Sequence, residues 1–279
     1  MSAVPLRLLI LGAHPDDAEF HAGGLILHYT RAGHVVKLVS ATDGGAGHQT
    51  LAGPPLTEIR SREARAAAQL VGATAELWPF PDGRLEPSLE LRERVIREIR
   101  TFRPDLVLTH RTCDYHPDHR AIGQAVQDAS YLVTVPSICP DAPILRRDPV
   151  VATMNDRFTR PTPQRADVIL DITDELPAIT RLCACHASQF FDWLPFNQQQ
   201  LDAVPTGEVA RLDWLAGQLH GYLRTYADRF RAELIATYGP QQGAAAGLAQ
   251  AFEISEYAAP LDADARRRLF WFLPEAPTP

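Results

Sequence analysis

The feature that most limits the fold of this chain is the alternation of short apolar runs with longer amphipathic segments along its first half. We predict strands at 6–11, 35–41, 75–80 and 105–109, and helices at 25–31, 57–71 and 88–102. Strands that alternate with helices of this length form parallel sheets covered by helices. The sequence therefore predicts an α/β fold, Rossmann-like and doubly wound, with a mostly parallel sheet and helices on both faces.

The second half of the chain has a looser pattern. Six prolines between 136 and 165 predict an extended excursion across the surface, and 166–172 has the composition of a further strand. Helical periodicity follows around 174–190 and 208–238, and a last apolar patch lies at 252–257. A chain of 279 residues, 46% of them hydrophobic, can bury one core. We expect residues 1–279 to form a single domain with a helical C-terminal part.

The charge and composition exclude several kinds of partner. A formal charge of −7 without a basic stripe argues against nucleic acid and anionic membranes. No apolar run reaches the ~20 residues that span a bilayer, and the apolar stretch near the N-terminus is too short for a signal peptide. The four cysteines form no CxxC pair and are expected to be buried or half-buried thiols. We expect a cytoplasmic protein that acts on a small molecule; assembly into a homo-oligomer stays open.

Two polar clusters follow predicted strands. The sequence AHPDDAEF at 13–20 comes directly after the first strand, and DYHPDH at 114–119 follows the fourth. In a doubly wound sheet of order 3-2-1-4-5 these two strands are neighbours, and ligands bind beyond their carboxyl ends. The two clusters should therefore meet, although about a hundred residues separate them.

The residue types in these clusters suit a catalytic metal. His14, Asp17 and His119 would provide two imidazoles and one carboxylate, a set that binds Zn²⁺ and leaves a fourth position open for water. Such a metal lowers the pKa of its bound water towards ~7. Fe²⁺ is an alternative, because these ligands do not strongly exclude it.

The neighbouring residues could carry the proton transfers. Asp16 could act as general base, and His116 could stabilise an oxyanion or protonate a leaving amine. Asp118 is placed to hold one of the histidines by its second ring nitrogen. The alternative is structural, because an aspartate of the first cluster could simply cap a helix, and histidines at helix starts are commonly caps or surface groups.

The motifs A-H-P-D-D-x-E at 13–19 and H-P-D-H at 116–119 resemble those of the LmbE-like, or PIG-L, family of zinc-dependent N-acetyl-sugar deacetylases. Weaker matches are the loop at 42–44, Arg60-x-x-Glu63, the turn at 81–83, His186-x-Ser-Gln and the segment 252–257. The resemblance implies zinc bound by His14, Asp17 and His119, with Asp16 as general base. It also implies that His116 stabilises the oxyanion, with Asp118 behind it.

Further residues are candidates for substrate contact. Arg60 resembles a family arginine near the substrate, although it could be a solvated helix charge. Tyr115 and His186 could also reach the substrate. The alternative for Tyr115 is a packing role, and the alternative for His186 is a position behind the residues that contact the substrate. Trp193 and Phe196 could stack on a sugar, although such aromatics are more often buried. We treat the remaining histidines as structural, including those at 21, 28, 34, 48, 110 and 220.

The main hypothesis is a zinc hydrolase that removes the acetyl group from an N-acetylated amino sugar or glycoconjugate. An amidase acting on a related sugar-thiol conjugate is the alternative within this class. A dinucleotide-dependent oxidoreductase would use the same architecture, but no G-x-G-x-x-G follows the first strand. A metal-binding protein without catalysis is a third hypothesis, which the presence of Asp16 and His116 disfavours.

Overall fold

The computed structural model describes residues 4–274; the ends of the predicted domain, 1–3 and 275–279, lie outside the described residues. The strands of this part form a sheet with the order β3-β2-β1-β4-β5-β7-β6. They are β1 (Arg7–Gly12), β2 (Val35–Thr42), β3 (Thr74–Phe80), β4 (Leu106–Thr109), β5 (Val150–Thr153), β6 (Val168–Asp171) and β7 (Ala249–Ile254).

The helices lie between and after the strands. They are α1 (Asp17–Arg31), α2 (Pro54–Val71), α3 (Leu89–Phe102), α4 (Pro117–Leu132), α5 (Leu176–Ala184), α6 (Leu194–Asn197), α7 (Glu208–Arg229), α8 (Arg231–Tyr238), α9 (Pro240–Ala245) and α10 (Ala263–Leu269). A π-helical turn, Ser188–Trp193, leads into α6. None of the described helices combines the length and hydrophobicity needed to cross a membrane.

The central strand β1 is an unbroken apolar run because both of its faces are covered. Leu8 and Ile10 pack in a core with residues of α1, α5 and α7. Leu9 and Leu11 point the other way, into a second core with residues of α3 and α4. Strands buried on both faces lack the polar alternation of half-exposed strands. The prediction of a doubly wound sheet with helices on both faces is confirmed.

The predicted strand order is confirmed where it matters for the site. β1 pairs in parallel with β4, so that Leu11 lies opposite Thr109 at their carboxyl ends. The strands β2 and β3 continue the parallel sheet on the other side of β1.

The predicted surface excursion at 136–165 was wrong in part, because it contains a strand. β5 pairs in parallel with β4 and occupies the fifth position, while the strand predicted at 166–172 is β6, at the edge. β7, in the patch predicted at 252–257, lies between them and is antiparallel to both. Only four residues form β5, directly after Pro149, so its local pattern is short and its pairing comes from β4.

Candidate metal centre and active site

The two polar clusters lie side by side at the carboxyl ends of β1 and β4. The chain leaves β1 at Gly12 and enters α1 at Asp17; it leaves β4 at Thr109 and enters α4 at Pro117. Because the two strands pair in parallel, their following loops meet at one edge of the sheet. The prediction that the clusters converge is confirmed.

The three predicted ligands, His14, Asp17 and His119, lie with side-chain nitrogen and oxygen atoms close to one another. His14 Nδ1 lies 3.1 Å from His119 Nε2 and 3.6 Å from Asp17 Oδ2, and His119 Nε2 lies 3.5 Å from Asp17 Oδ1. Ligand atoms of a tetrahedral zinc with ordinary bond lengths lie about 3.3 Å apart. The spacing of these three side chains therefore fits a small divalent cation.

Other sets of potential ligands overlap with this one. They are His14 with His116 and His119, Asp17 with His110 and His119, and His14 with Asp82 and Asp118. The carboxylates of Asp82 and Asp118 accept hydrogen bonds from backbone amides, and they face the Nε2 side of His14. Asp82 and Asp118 are therefore placed to orient the His14 ring rather than to bind the metal themselves.

Each of the two histidines has a carboxylate at its second nitrogen. His14 Nε2 lies 3.3 Å from Asp82 Oδ1 and 3.4 Å from Asp118 Oδ2, and His119 Nδ1 lies 3.2 Å from Asp114 Oδ2. Such partners fix the ring and the tautomer of metal-binding histidines. Although burial opposes protonation, the carboxylates of Asp118, Asp17 and Asp82 raise the pKa of His14 well above its ordinary value.

Asp17 is held with one oxygen occupied and one directed at His119. Its Oδ2 accepts hydrogen bonds from the amides of Ala13 (2.8 Å) and His14 (2.7 Å) and lies 2.9 Å from His110 Nε2. Burial favours the protonated carboxyl, but the imidazoles of His119 and His110 hold the pKa of Asp17 well below its usual range. An ionised carboxylate with a fixed orientation is what a metal ligand requires.

His110, predicted from the sequence to be structural, contacts two of the predicted metal ligands. Its ring contacts Asp17 and stacks on His119, with 3.8 Å between the ring centroids. His21, also predicted to be structural, lines the same cleft, and burial lowers its pKa to about 3. The sequence signal for His110 was its position directly after β4.

Asp16 projects into the cleft next to this cluster. It occupies the N-cap position of α1, but its side chain makes no capping hydrogen bond, so the capping alternative is not what the structure shows. Burial and the charge of Asp17 raise its pKa.

His116 does cap a helix. Its Nδ1 accepts a hydrogen bond of 3.2 Å from the amide of Asp118 at the start of α4. A neutral ring must then carry its proton on Nε2. Burial, together with the nearby imidazoles of His14 and His119, lowers the pKa of His116 to about 4, which favours this neutral form.

Asp118 departs from the arrangement implied by the resemblance. Its carboxylate accepts hydrogen bonds from the amides of Gly83 (2.7 Å) and Leu85 (3.1 Å), and it faces His14. The role of orienting a histidine is compatible with this position, but the histidine is His14 rather than His116.

The predicted substrate contacts fall into two groups. Tyr115 is 71% exposed and lines the cleft beside His116. Arg60 and His186 are buried outside the lining: Arg60 donates to Gln189 and to the carbonyl of Gly47, so the surface-charge alternative is wrong. His186 Nε2 lies 3.3 Å from a carboxylate oxygen of Glu19, which is also buried. Neither side chain is among the residues that line the cleft, and their contact with the substrate stays a prediction.

The cleft has a volume of about 480 Å³ and two walls. The metal-binding wall consists of His14, Asp16, Asp17, Phe20, His21, Asp114, Tyr115 and His119. The distal wall consists of Asp156, Arg157, Phe158, Gln189, Phe190, Leu194, Asn197, Gln198 and Tyr222. Trp193 and Phe196 do not line the cleft, although their neighbours do. Of the residues in the distal wall, only Gln189 belongs to a motif noted in the sequence, His186-x-Ser-Gln.

Residues 9–130 match the family model PIG-L, described as GlcNAc-PI de-N-acetylase. The matched range contains β1 through α4, and with them both polar clusters. The resemblance to the PIG-L, or LmbE-like, family that was stated from the two motifs is therefore confirmed over this range.

Several curated proteins are similar over a longer range. The chain is 26% identical over 197 residues to a 4-oxalmesaconate hydratase of Pseudomonas putida, an alignment that covers 66% of this chain and 74% of that protein. It is 27% identical over 191 residues to the diacetylchitobiose deacetylase of Thermococcus kodakarensis, with 66% and 70% covered. Among solved structures, the N,N′-diacetylchitobiose deacetylase of Pyrococcus horikoshii superposes with a TM-score of 0.70 at 21% identity, covering 90% of this chain and 84% of that one.

Proposed function

We propose that the protein is a metal-dependent hydrolase that removes the acetyl group from an N-acetylated amino sugar or glycoconjugate. The observation that carries this proposal is the meeting of His14, Asp17 and His119 at one point, with Asp16 beside them in an open cleft. The match to the family model described as GlcNAc-PI de-N-acetylase and the similarity to a diacetylchitobiose deacetylase support it.

His14, Asp17 and His119 would hold the metal, for which we propose Zn²⁺, with Fe²⁺ as the alternative. When bound, the cation would supply Lewis-acid activation of a water molecule and of the amide carbonyl. Asp82, Asp114, Asp118 and His110 keep the ligand atoms oriented through their contacts with the three ligands.

Asp16 accepts a proton from the attacking water. A general base works best when its pKa is close to the working pH, and burial moves the pKa of Asp16 in that direction. His116 donates a hydrogen bond from its Nε2–H to the oxygen of the amide carbonyl as negative charge develops there. The amine leaves with a proton from Asp16 or from His116. Tyr115 contacts the sugar at the rim.

Hydration of a carbon–carbon double bond is the second candidate, because one relative is named as a hydratase. Compounds such as 4-oxalmesaconate carry several carboxylates, which need several cationic partners. Arg157 is the only arginine or lysine in the lining of the cleft, which also contains Asp16, Asp17, Asp114 and Asp156. This charge balance favours an uncharged acetamido sugar over a polycarboxylate at the metal.

The test is an acetate-release screen on purified protein whose metal content has been measured. N-acetylglucosamine derivatives, including a sugar-thiol conjugate, are assayed with and without a chelator, alongside ultraviolet assays with 4-oxalmesaconate and fluorescence titration with NADH. We expect acetate release that stops when the metal is removed. Hydration of 4-oxalmesaconate without acetate release would replace the proposal, and chelator-resistant acetate release would remove the metal from it.

We further propose that residues 1–279 act as one domain in the cytoplasm, on a small molecule rather than on nucleic acid or a membrane. The net charge of −7 supports a small-molecule substrate, since nucleic acid and anionic lipids repel an acidic surface. Light scattering of the purified protein would give the number of subunits.

A further inference from the structure

A second chamber adjoins the cleft at its distal wall. It has a volume of about 360 Å³ and shares with the cleft the residues Phe20, Arg157, Phe190, Leu194, Gln198 and Tyr222. Pockets for small organic ligands range from about 300 to 1,000 Å³. The two spaces together can therefore hold a ligand larger than the group that reacts at the metal.

One face of α7 forms the opposite side of this chamber. It contributes Trp214, Leu215, Gly217, Gln218, Leu219, Gly221 and Tyr222. Gly217 and Gly221 lie one helical turn apart, and no atom lies within 4 Å of the position that a Cβ would take at either glycine. Glycine inside a helix costs ~1 kcal/mol relative to alanine. Close packing does not require these glycines. Their effect is that they leave space in the chamber that larger side chains would fill.

Arg157 is the only charged residue that lines the chamber. Its guanidinium lies 4.7 Å from the centre of the Tyr222 ring, and no carboxylate of residues 4–274 forms a salt bridge with it. The adjacent Asp156 is instead paired with Arg111, at 3.1 Å. The Arg157 side chain is exposed, so its donors face solvent at the junction of the two cavities, where they can bind an anion.

We propose that the substrate is a glycoconjugate whose aglycone occupies this chamber and carries an oxyanion, carboxylate or phosphate, that binds Arg157. The inference rests on the proposed deacetylase function, which places the acetamido sugar at the metal-binding wall. The inference concerns the aglycone, the part of the substrate that the metal would not contact. Arg157 becomes a specificity-determining residue, and Gly217 with Gly221 sets the size of the aglycone.

The charge is tested with a pair of conjugates of equal size. The carboxymethyl N-acetylglucosaminide carries a carboxylate where the carbamoylmethyl N-acetylglucosaminide carries a neutral amide. N-acetylglucosamine 1-phosphate tests whether a phosphate can be the oxyanion. We expect kcat/KM of the metal-loaded enzyme to be about tenfold or more higher for an anionic conjugate than for the amide, because hydrogen bonds to charged groups are the stronger ones. In Arg157→Gln this ratio should fall to about one.

Two further variants separate charge from structure. Arg157→Lys keeps the charge but not the planar fork and should retain part of the preference. Arg160→Gln removes an exposed arginine of the same loop that lines neither cavity, and it should keep the wild-type ratio. Equal losses for both conjugates in Arg157→Gln, or the same loss of preference in Arg160→Gln, would overturn the inference.

The chamber is tested by filling it. Gly217→Leu and Gly221→Leu should lower kcat/KM for benzyl N-acetylglucosaminide more than for the methyl glycoside, while Gly217→Ala, with one methyl, should have the smaller effect. Equal losses for both glycosides would overturn the place assigned to the aglycone. Melting temperatures identify any variant that loses its fold.

Failure of the proposed function gives a different result from failure of this inference. Acetate release with no preference for the anionic conjugates leaves the deacetylase intact and overturns the role of Arg157. If the wild type releases no acetate from any conjugate, the deacetylase proposal fails, and titration calorimetry with the carboxymethyl glycoside decides the rest. An affinity about tenfold lower in Arg157→Gln supports the anion site, and unchanged affinity overturns it.

Discussion

The two walls of the cleft are built in different ways. The metal-binding wall comes from two loops, 13–21 and 110–119, each fixed by a strand of the sheet at one end and a helix at the other. The distal wall comes from segments between 156 and 222 that belong to a loop, a π-helical turn and two helices. The comparison teaches that the chemistry of this fold is encoded locally, whereas its substrate preference is dispersed along the chain.

The largest effect is expected from loss of a metal ligand. His119→Ala should lower activity to the background rate and reduce the bound metal to a small fraction of one equivalent, because two ligands cannot replace three. Metal analysis and acetate release on the same sample measure this. Full metal content in the variant would show that the metal-binding wall has been assigned wrongly.

Asp16→Asn should separate metal binding from catalysis within the same wall. Removing a general base lowers turnover by about 10²- to 10⁴-fold, while the three ligands remain in place. The measurements are kcat and metal content at several pH values. Retained turnover would remove Asp16 from the mechanism.

Proton competition at His14 should make metal affinity depend on pH. The pKa of His14 is raised in the metal-free protein, so below this pKa a proton must leave before the imidazole can bind. We expect affinity to be highest above the raised pKa and to fall by about tenfold per pH unit below it. Competition with a chromophoric chelator measures the slope. An affinity that does not change with pH would contradict ligation by His14.

His110→Gln tests the contact that orients Asp17. Changes to partners of metal ligands commonly lower metal affinity or activity by about 10- to 100-fold. Glutamine can still donate to Asp17 Oδ2, so it should be less damaging than His110→Phe, which cannot. A smaller loss in His110→Phe than in His110→Gln would instead assign His110 a packing role through its stack on His119, because phenylalanine keeps an aromatic ring.

The smallest effect is expected at the rim. Tyr115→Phe keeps the ring and removes the hydroxyl of a largely exposed side chain. We expect KM to rise by a few-fold with little change in kcat, since an exposed neutral hydrogen bond contributes only about 0.5–1.5 kcal/mol. A large fall in kcat would place the Tyr115 hydroxyl among the groups that act on the reacting bond.

The difference between the walls also explains what the sequence could predict. β1 through β4 are flanked by helices with clear periodicity, so their order and the meeting of residues 14–17 with 116–119 follow from fold rules. β5 could not be predicted, because its four residues depend on pairing with β4. His110 has no telling spacing to Asp17 in the sequence; their contact exists only because β1 and β4 are neighbours.

Two predicted substrate contacts differ from the cleft lining in the direction of their side chains. Arg60 and His186 belong to recognisable motifs, yet both are turned into the protein, towards Gln189 and Glu19. Arg157 belongs to no motif and lines both cavities. A position in a motif indicates proximity to a site, but packing decides which way a side chain points.

The most direct test of the account is a crystal structure of the metal-loaded protein with anomalous data at the metal edge. We predict one ion, bound by His14 Nδ1, His119 Nε2 and Asp17 Oδ1, with the Asp16 carboxylate facing an open coordination position. An ion held by Asp82 and Asp118, or ligands drawn from only one of the two loops, would contradict it.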